Sequence, residues 1–281
     1  MTTPLSLHQD MPDRLGPLGF AKSLWSILAG KPRVPRSLAD NPLLNTILER
    51  RSVRAFADRE IPDDILLAIL EAGRLAPSTV NLQTWTFALF TCDSWQETFG
   101  KPIPFQGQRA VIIMGDTHRC RLIADAFPSA PLVGYTIAVM NASLAAMSMT
   151  IAAEALGVSS VMLSETGQSG FLDANHLKEE LGLPDGVFPL MTIVFGYARG
   201  AYPPMPPRLP LDQICFQGKY EEPDREIMAD WLAQMMAGYK ASHPFSSFEA
   251  QLHVYRSKVG KAEADLRKMV SCESQTGDVG G

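Results

Sequence analysis

Cysteine is scarce in this chain of 281 residues: Cys92, Cys120, Cys215 and Cys272 lie far apart and form no C-x-x-C pair. A disulfide framework and a zinc site are therefore not expected. Histidine is scarce as well. His8, His118, His176, His243 and His253 are dispersed, and H-E-x-x-H does not occur. There is no G-x-G-x-x-G after a strand, no Walker A loop and no G-x-S-x-G, so the standard dinucleotide and nucleotide cradles and the α/β-hydrolase nucleophile are missing. A surplus of positive charge is missing too: the formal net charge is -5, which argues against a nucleic-acid binder. The start, M-T-T-P-L-S-L-H-Q-D, has no basic region followed by an apolar run, so no secretory leader is expected and the cytoplasm is the default location.

Apolar residues make up 46% of the chain, enough for a sizeable core. Leu132 to Ala153 carries 22 residues without a charge, long enough to span a bilayer. Asn141, Ser143, Ser148 and Thr150 interrupt it, and alanine and methionine outnumber leucine, so it reads as a helix buried in a core or a subunit interface. No membrane partner is expected from it. Gly157 is the expected C-terminal stop.

Three segments follow from composition. Residues 1–40, interrupted by proline, read as an N-terminal extension with a short helix at Phe20 to Leu28. A main domain over 41–222 opens with Asn41-Pro42, a helix cap followed by proline in the first turn. Its next helix follows I-P-D-D, capped by Asp63 or Asp64 and stopped by Pro77. Strands are expected at Thr84 to Thr91, Ala110 to Met114, Val158 to Leu163 and Pro189 to Phe195, with a helix at Leu172 to Leu181 between the last two. After the proline-rich A-Y-P-P-M-P-P-R-L-P, residues 223–281 form a C-terminal arm, helical over Asp224 to Lys240 and then a low-order tail.

The chemistry centres on E-R-R-S-V-R-A-F at 49 to 56. Arg50, Arg51 and Arg54 present planar forks of donors, and Ser52 adds a hydroxyl between them, a set that suits a phosphate. On this octapeptide alone, a solvated helix end paired with Glu49, Asp58 and Glu60 explains the charges equally well.

Together with A-P-S-T-V-N-L-Q-T-W at 76 to 85, however, R-R-S-V-R-A-F resembles the paired motifs of the nitroreductase family of flavin enzymes, with Thr84 in place of the usual proline. The resemblance covers roughly Pro42 to Tyr239. It includes the long apolar helix, V-M-L-S-E at 161 to 165 and the closing G-Y-A-R-G-A-Y-P-P-M-P-P-R. It implies an α+β fold, with a mostly antiparallel sheet flanked by helices, in an intertwined homodimer that binds one FMN at each of two interfaces. Its C-terminal arm would embrace the partner subunit. By position, Arg50, Ser52 and Arg208 would hold the FMN phosphate, Arg51 would contribute partly through its backbone, and Arg54 would reach the pyrimidine edge. Pro77, Ser78, Thr79 and Asn81 would come from the neighbouring subunit, and Met162, Leu163, Ser164 and Glu165 would pass beside N5. No side-chain acid or nucleophile and no metal is then required, because the flavin carries the redox chemistry. The implied activity is ping-pong hydride transfer from NADPH or NADH to a nitroaromatic, quinone or similar small aromatic acceptor, with Phe105, Phe127 and Phe171 as stacking candidates. Alternatives on the same scaffold are a dehalogenase, a biosynthetic dehydrogenase or a non-catalytic flavin sensor.

Overall fold

The computed structural model describes residues 16–123, 130–164 and 174–271. They divide into two compact units, one of 16–36 with 204–257 and one of 37–203 with 258–271.

The larger unit is built on a four-stranded sheet of β1 (Trp85–Phe90), β2 (Arg109–Asp116), β3 (Ser159–Leu163) and β4 (Val187–Gly196). The strand order is β1-β2-β4-β3, and every pairing is antiparallel. β2 and β4 are central and buried on both faces, which explains their continuous apolar runs where an edge strand would alternate. One face is covered by α3 (Asp63–Arg74) and α6 (Pro131–Ala155), whose Ile69, Ala142, Ala146 and Met149 join Val111, Ile113, Ile193 and Phe195 in one core. The opposite face packs Trp95 of α4 (Cys92–Phe99), Leu177 of α7 (Ala174–Glu180), Val53 and Phe56 against Ile112, Val161 and Val194. Between β2 and α6 a short α5 (His118–Ile123) begins directly after the strand.

The long charge-poor segment is the helix α6, with nine buried positions, and Gly157 at φ 74° ends it. The Val158 N–H donates to Ala153 O and the Gly157 N–H to Glu154 O, a Schellman closure that a left-handed glycine makes inexpensive. α6 is the one helix among the described residues that is long and apolar enough to cross a membrane. Val133, Met140 and Leu144 remain exposed along one side of it. α2 (Pro42–Glu49) is capped as expected, with Asn41 Oδ1 accepting from the Leu44 N–H at 2.9 Å, but Leu43 and Ile47 of its apolar stripe are exposed within one chain.

Four expectations need correction. The cap of α3 is Pro62: Asp63 and Asp64 already lie in its first turn, where their charge suits the helix dipole. The same helix ends at Arg74, before Pro77 is reached. Pro189 does not begin its strand but lies inside β4, at a register shift that pairs it with Met114 and leaves Leu190 as the extra residue. Finally, residues 241–271 are not a low-order tail; the last part of that expected tail, 272–281, lies outside the described residues. α8 (Arg225–Ser242) is followed by α9 (Phe248–Ser271), which starts on the hydroxyl of Ser247, an acceptor for the Ala250 N–H. Its many charges obscure an apolar series whose last members, Leu266, Met269 and Val270, reach the core of the larger unit.

In the smaller unit α1 (Pro17–Ala29) packs on α8. The contact is close because Gly238 has no side chain: a Cβ there would stand 3.2 Å from Ile27 Cδ1. Asp224 caps α8 by accepting from the Glu226 and Ile227 N–H groups.

Candidate functional site

The arginine segment is held along the edge of the sheet. Its backbone bonds to β3 through Val53 N–H to Ser160 O at 3.0 Å, and to the stretch after β4 through Ala57 N–H to Tyr197 O and Arg199 N–H to Ala55 O. Val53 and Phe56 are its apolar pegs. The Phe56 ring sits on bare backbone at Gly196, where a Cβ would come within 2.7 Å of it. With those two residues turned inward, the polar members face outward or along the surface.

The three arginines differ. Arg54 is exposed. Arg51 closes α2, its guanidinium donating to Leu48 O at 2.9 Å and Arg50 O at 3.0 Å, while its N–H donates to the Tyr202 hydroxyl at 3.2 Å. Arg50 Nε is buried and has no acceptor among the described residues. A buried donor without a partner is costly, and an acceptor from outside, a water or an anion, removes the cost. The helix-end alternative loses its main support, because Glu60 pairs with Arg109 at 3.2 Å and not with the cluster.

Behind the segment, the Tyr202 hydroxyl donates to Glu154 Oε1 at 2.5 Å. Burial, and then the bond to that carboxylate, push the Tyr202 phenol up to about 12. Tyr202 thus ties the arginine backbone to the end of α6 through a hydroxyl that stays protonated.

Because Ser52 bridges Ser160, the half-buried Met162 and Leu163 and the exposed Ser164 continue along β3 from the arginines, at about 3.3 Å per residue. The structure therefore brings Arg50, Ser52 and this strand into one line. Glu165, Phe127 and Phe171 lie outside the described residues. Arg208 is exposed in the extended proline-rich segment of the smaller unit.

Pro77, Ser78, Thr79 and Asn81 are elsewhere. They precede β1, whose first residue pairs with the end of β2, whereas Ser52 joins the first half of β3 at the other edge. Within one chain the two motifs occupy diagonally opposite corners of the sheet. The loop is strained, with φ of 50° at Val80, 59° at Asn81 and 48° at Gln83, none of them glycine. What holds it was not legible locally. Asn141, 1% exposed on α6, accepts from the Thr79 N–H at 3.1 Å and hydroxyl at 3.3 Å, and donates to Thr84 Oγ1 at 2.8 Å. The Ser78 hydroxyl accepts from the Gln83 N–H across the same turn.

Phe105 is partly exposed and also left-handed, at φ 59°. No group of three His, Cys, Asp or Glu side chains suited to a metal occurs among the described residues.

A profile of the Nitroreductase family matches residues 47–197. An NADPH-dependent oxidoreductase of Staphylococcus aureus is 26% identical over 204 residues, 66% of this chain and 78% of that protein. Among solved structures, NfrA2 of B. megaterium aligns with a TM-score of 0.67 at 22% identity, covering 82% of this chain and 96% of that one. The NADPH:FMN oxidoreductase of Vibrio harveyi, complexed with NAD+, aligns at 0.61 and 22%, covering 77% and 92%.

Proposed function

The chain belongs to the nitroreductase family, and on that premise we propose that it is an FMN-dependent oxidoreductase working as a homodimer. It takes hydride from NADPH or NADH and passes it, in ping-pong order, to a nitroaromatic, quinone or similar aromatic acceptor. The observation that carries this reading is the buried, unpartnered Nε of Arg50 beside Ser52, a donor set shaped for a phosphate. The S. aureus relative is an NADPH-dependent oxidoreductase and the V. harveyi protein acts on FMN, which supports the choice of cofactor and donor.

Arg50 and Ser52 would bind the phosphate end, and the family resemblance assigns Arg208 to the same group. FMN, when bound, would supply the two-electron redox chemistry. Arg54, exposed in the single chain, would offer a cation to the pyrimidine edge and favour negative charge there. By position in the family motif, Met162, Leu163, Ser164 and Glu165 would meet the ring through their backbone. Pro77, Ser78, Thr79 and Asn81 come from a second copy: the diagonal separation of the two motifs in one chain supports a site completed by dimerisation.

The test is the visible spectrum of the purified protein under anaerobic conditions, before and after NADPH or NADH, with Arg50→Ala and Arg208→Ala alongside. A flavin spectrum that bleaches, returns with a nitroaromatic or quinone, and is weakened in the variants is the expected result. Colourless protein that takes up no FMN overturns the reading, and bound flavin that neither nicotinamide reduces leaves a carrier or sensor in its place.

A further inference from the structure

α1 is apolar on two faces. Phe20, Leu24 and Ile27 follow the helical period and turn toward the smaller unit, with Ile27 against Gly238 of α8. On the reverse, Leu18, Trp25 and Leu28 are 89%, 74% and 70% exposed. Leu18 and Trp25 are seven residues apart, two helical turns, and Leu28 adds a further turn, so the three form one stripe. Ala21 and Lys22 lie between them and are exposed as well. A contiguous solvent-facing stripe of leucine and tryptophan calls for a partner, since isolated surface leucines are ordinary but patches are not.

Charge indicates which partner. Between Asp13 and Asp40 there is no acidic residue, while Lys22, Lys31, Arg33 and Arg36 are all exposed. The chain as a whole carries a net charge of -5, so this concentration of positive charge is local. The turn between α8 and α9 adds a fully exposed Phe245 beside Lys240 and His243. Ile27 against Gly238 brings the C-terminal part of α1 close to the C-terminal part of α8, from which that turn leaves. Exposed tryptophan, leucine and phenylalanine flanked by lysine and arginine match the two terms that seat a helix in a lipid interface: buried apolar area and attraction to anionic headgroups.

We propose that the α1 face of the smaller unit docks peripherally on an anionic lipid surface. α6 has no part in this, since it is laid into the core of the larger unit. The helix lies in the interfacial plane with Trp25 at headgroup depth, and the basic run 31–36 holds against the charged surface. This extends the proposed reaction without depending on it. If both hold, the acceptor can be a lipid-dissolved quinone.

The experiment is sedimentation of the full-length, flavin-loaded protein with vesicles of phosphatidylcholine alone or mixed with phosphatidylglycerol, with Trp25 fluorescence followed in parallel. Binding to the mixed vesicles, a blue shift, release at high salt and little binding to phosphatidylcholine alone are expected. Trp25→Ser weakens partitioning about tenfold, and each of Lys31→Ser and Arg33→Ser about fivefold. Unchanged flavin content and nicotinamide oxidation in solution show that these variants remain folded and keep the reaction separate from the docking. No sedimentation with anionic vesicles at low salt overturns the proposal. It is equally overturned by binding that survives Trp25→Ser, or by a larger oligomer that Trp25→Ser dissolves while vesicles capture nothing, which would assign the stripe to a second copy.

Discussion

Asn141 Nδ2 donates to Thr84 Oγ1 at 2.8 Å inside the protein, joining the middle of α6 to a residue 57 positions earlier. The family motif that residues 76–85 resemble has proline where this chain has Thr84, and proline stiffens a turn by fixing φ. Here a buried amide performs the stiffening: it grips Thr84 on one side and Thr79 on the other, across three left-handed residues.

Asn141→Leu therefore leaves the Thr79 N–H and the Thr84 hydroxyl without their partner. A loss of about 1–3 kcal/mol is expected in chemical denaturation, together with weaker FMN binding, because the loop is free to relax. Full stability with Leu at 141 would contradict the role given to the amide.

Arg50 and Arg51 separate binding from stability. Arg50→Ala removes a buried donor that has no partner among the described residues, so the stability of the flavin-free form holds or rises. FMN affinity falls about ten- to a hundredfold. Arg51→Ala removes two bonds at the end of α2 and costs the flavin-free protein about 1 kcal/mol, with the smaller effect on FMN. Fluorescence titration of FMN and urea denaturation of both variants give the comparison.

Tyr202 sets an alkaline limit. Its phenol titrates at about 12 in the folded chain, against about 10 for an ordinary tyrosine, because burial and then the bond to Glu154 favour the protonated form. A raised value means that the stabilising contribution is complete below pH of about 10 and is lost as the pH rises toward 12. Melting temperature against pH in Tyr202→Phe should lack that decline. A parallel decline in both proteins would place the sensitive group elsewhere.

Thr192 on β4 is fully buried, and its hydroxyl has no partner among the described residues. Thr192→Val keeps the shape and removes the desolvated group, so the urea midpoint should move upward, by about 1 kcal/mol in stability. A downward shift would mean that the hydroxyl has a partner, such as an internal water.

What could be read in the sequence was what is written locally. α6 announced itself by its missing charges, α2 by Asn41-Pro42, and the four strands by apolar runs between turn residues. The cap of α3 was misjudged because three residues at its start, Pro62, Asp63 and Asp64, all suit the first turn, and only backbone angles distinguish cap from helix. α9 was hidden by its own polarity, since its burial depends on a few residues at its far end. In the site, the arginines and Ser52 were recognisable as residue types. The clamp on the loop was not, because a buried asparagine in an apolar helix shows its purpose only when Thr79 and Thr84 are brought beside it. The diagonal placement of the two motifs is likewise a property of strand order.

Pro189 bears on the behaviour of this protein in a crowded solution. β3 pairs with β4 only as far as Thr192, so in the described residues the first half of β4 runs on with a neighbour on the β2 side alone. Val187, Phe188, Pro189 and Leu190 are buried, so packing covers that flank in the folded chain, and only a local opening would offer it to an extended visitor. Proline in the middle of this stretch brings no N–H to such a pairing, and the irregularity beside it bends the strand out of register with a straight visitor. The feature that interrupts the pattern of the sheet is also its guard against being extended by strangers.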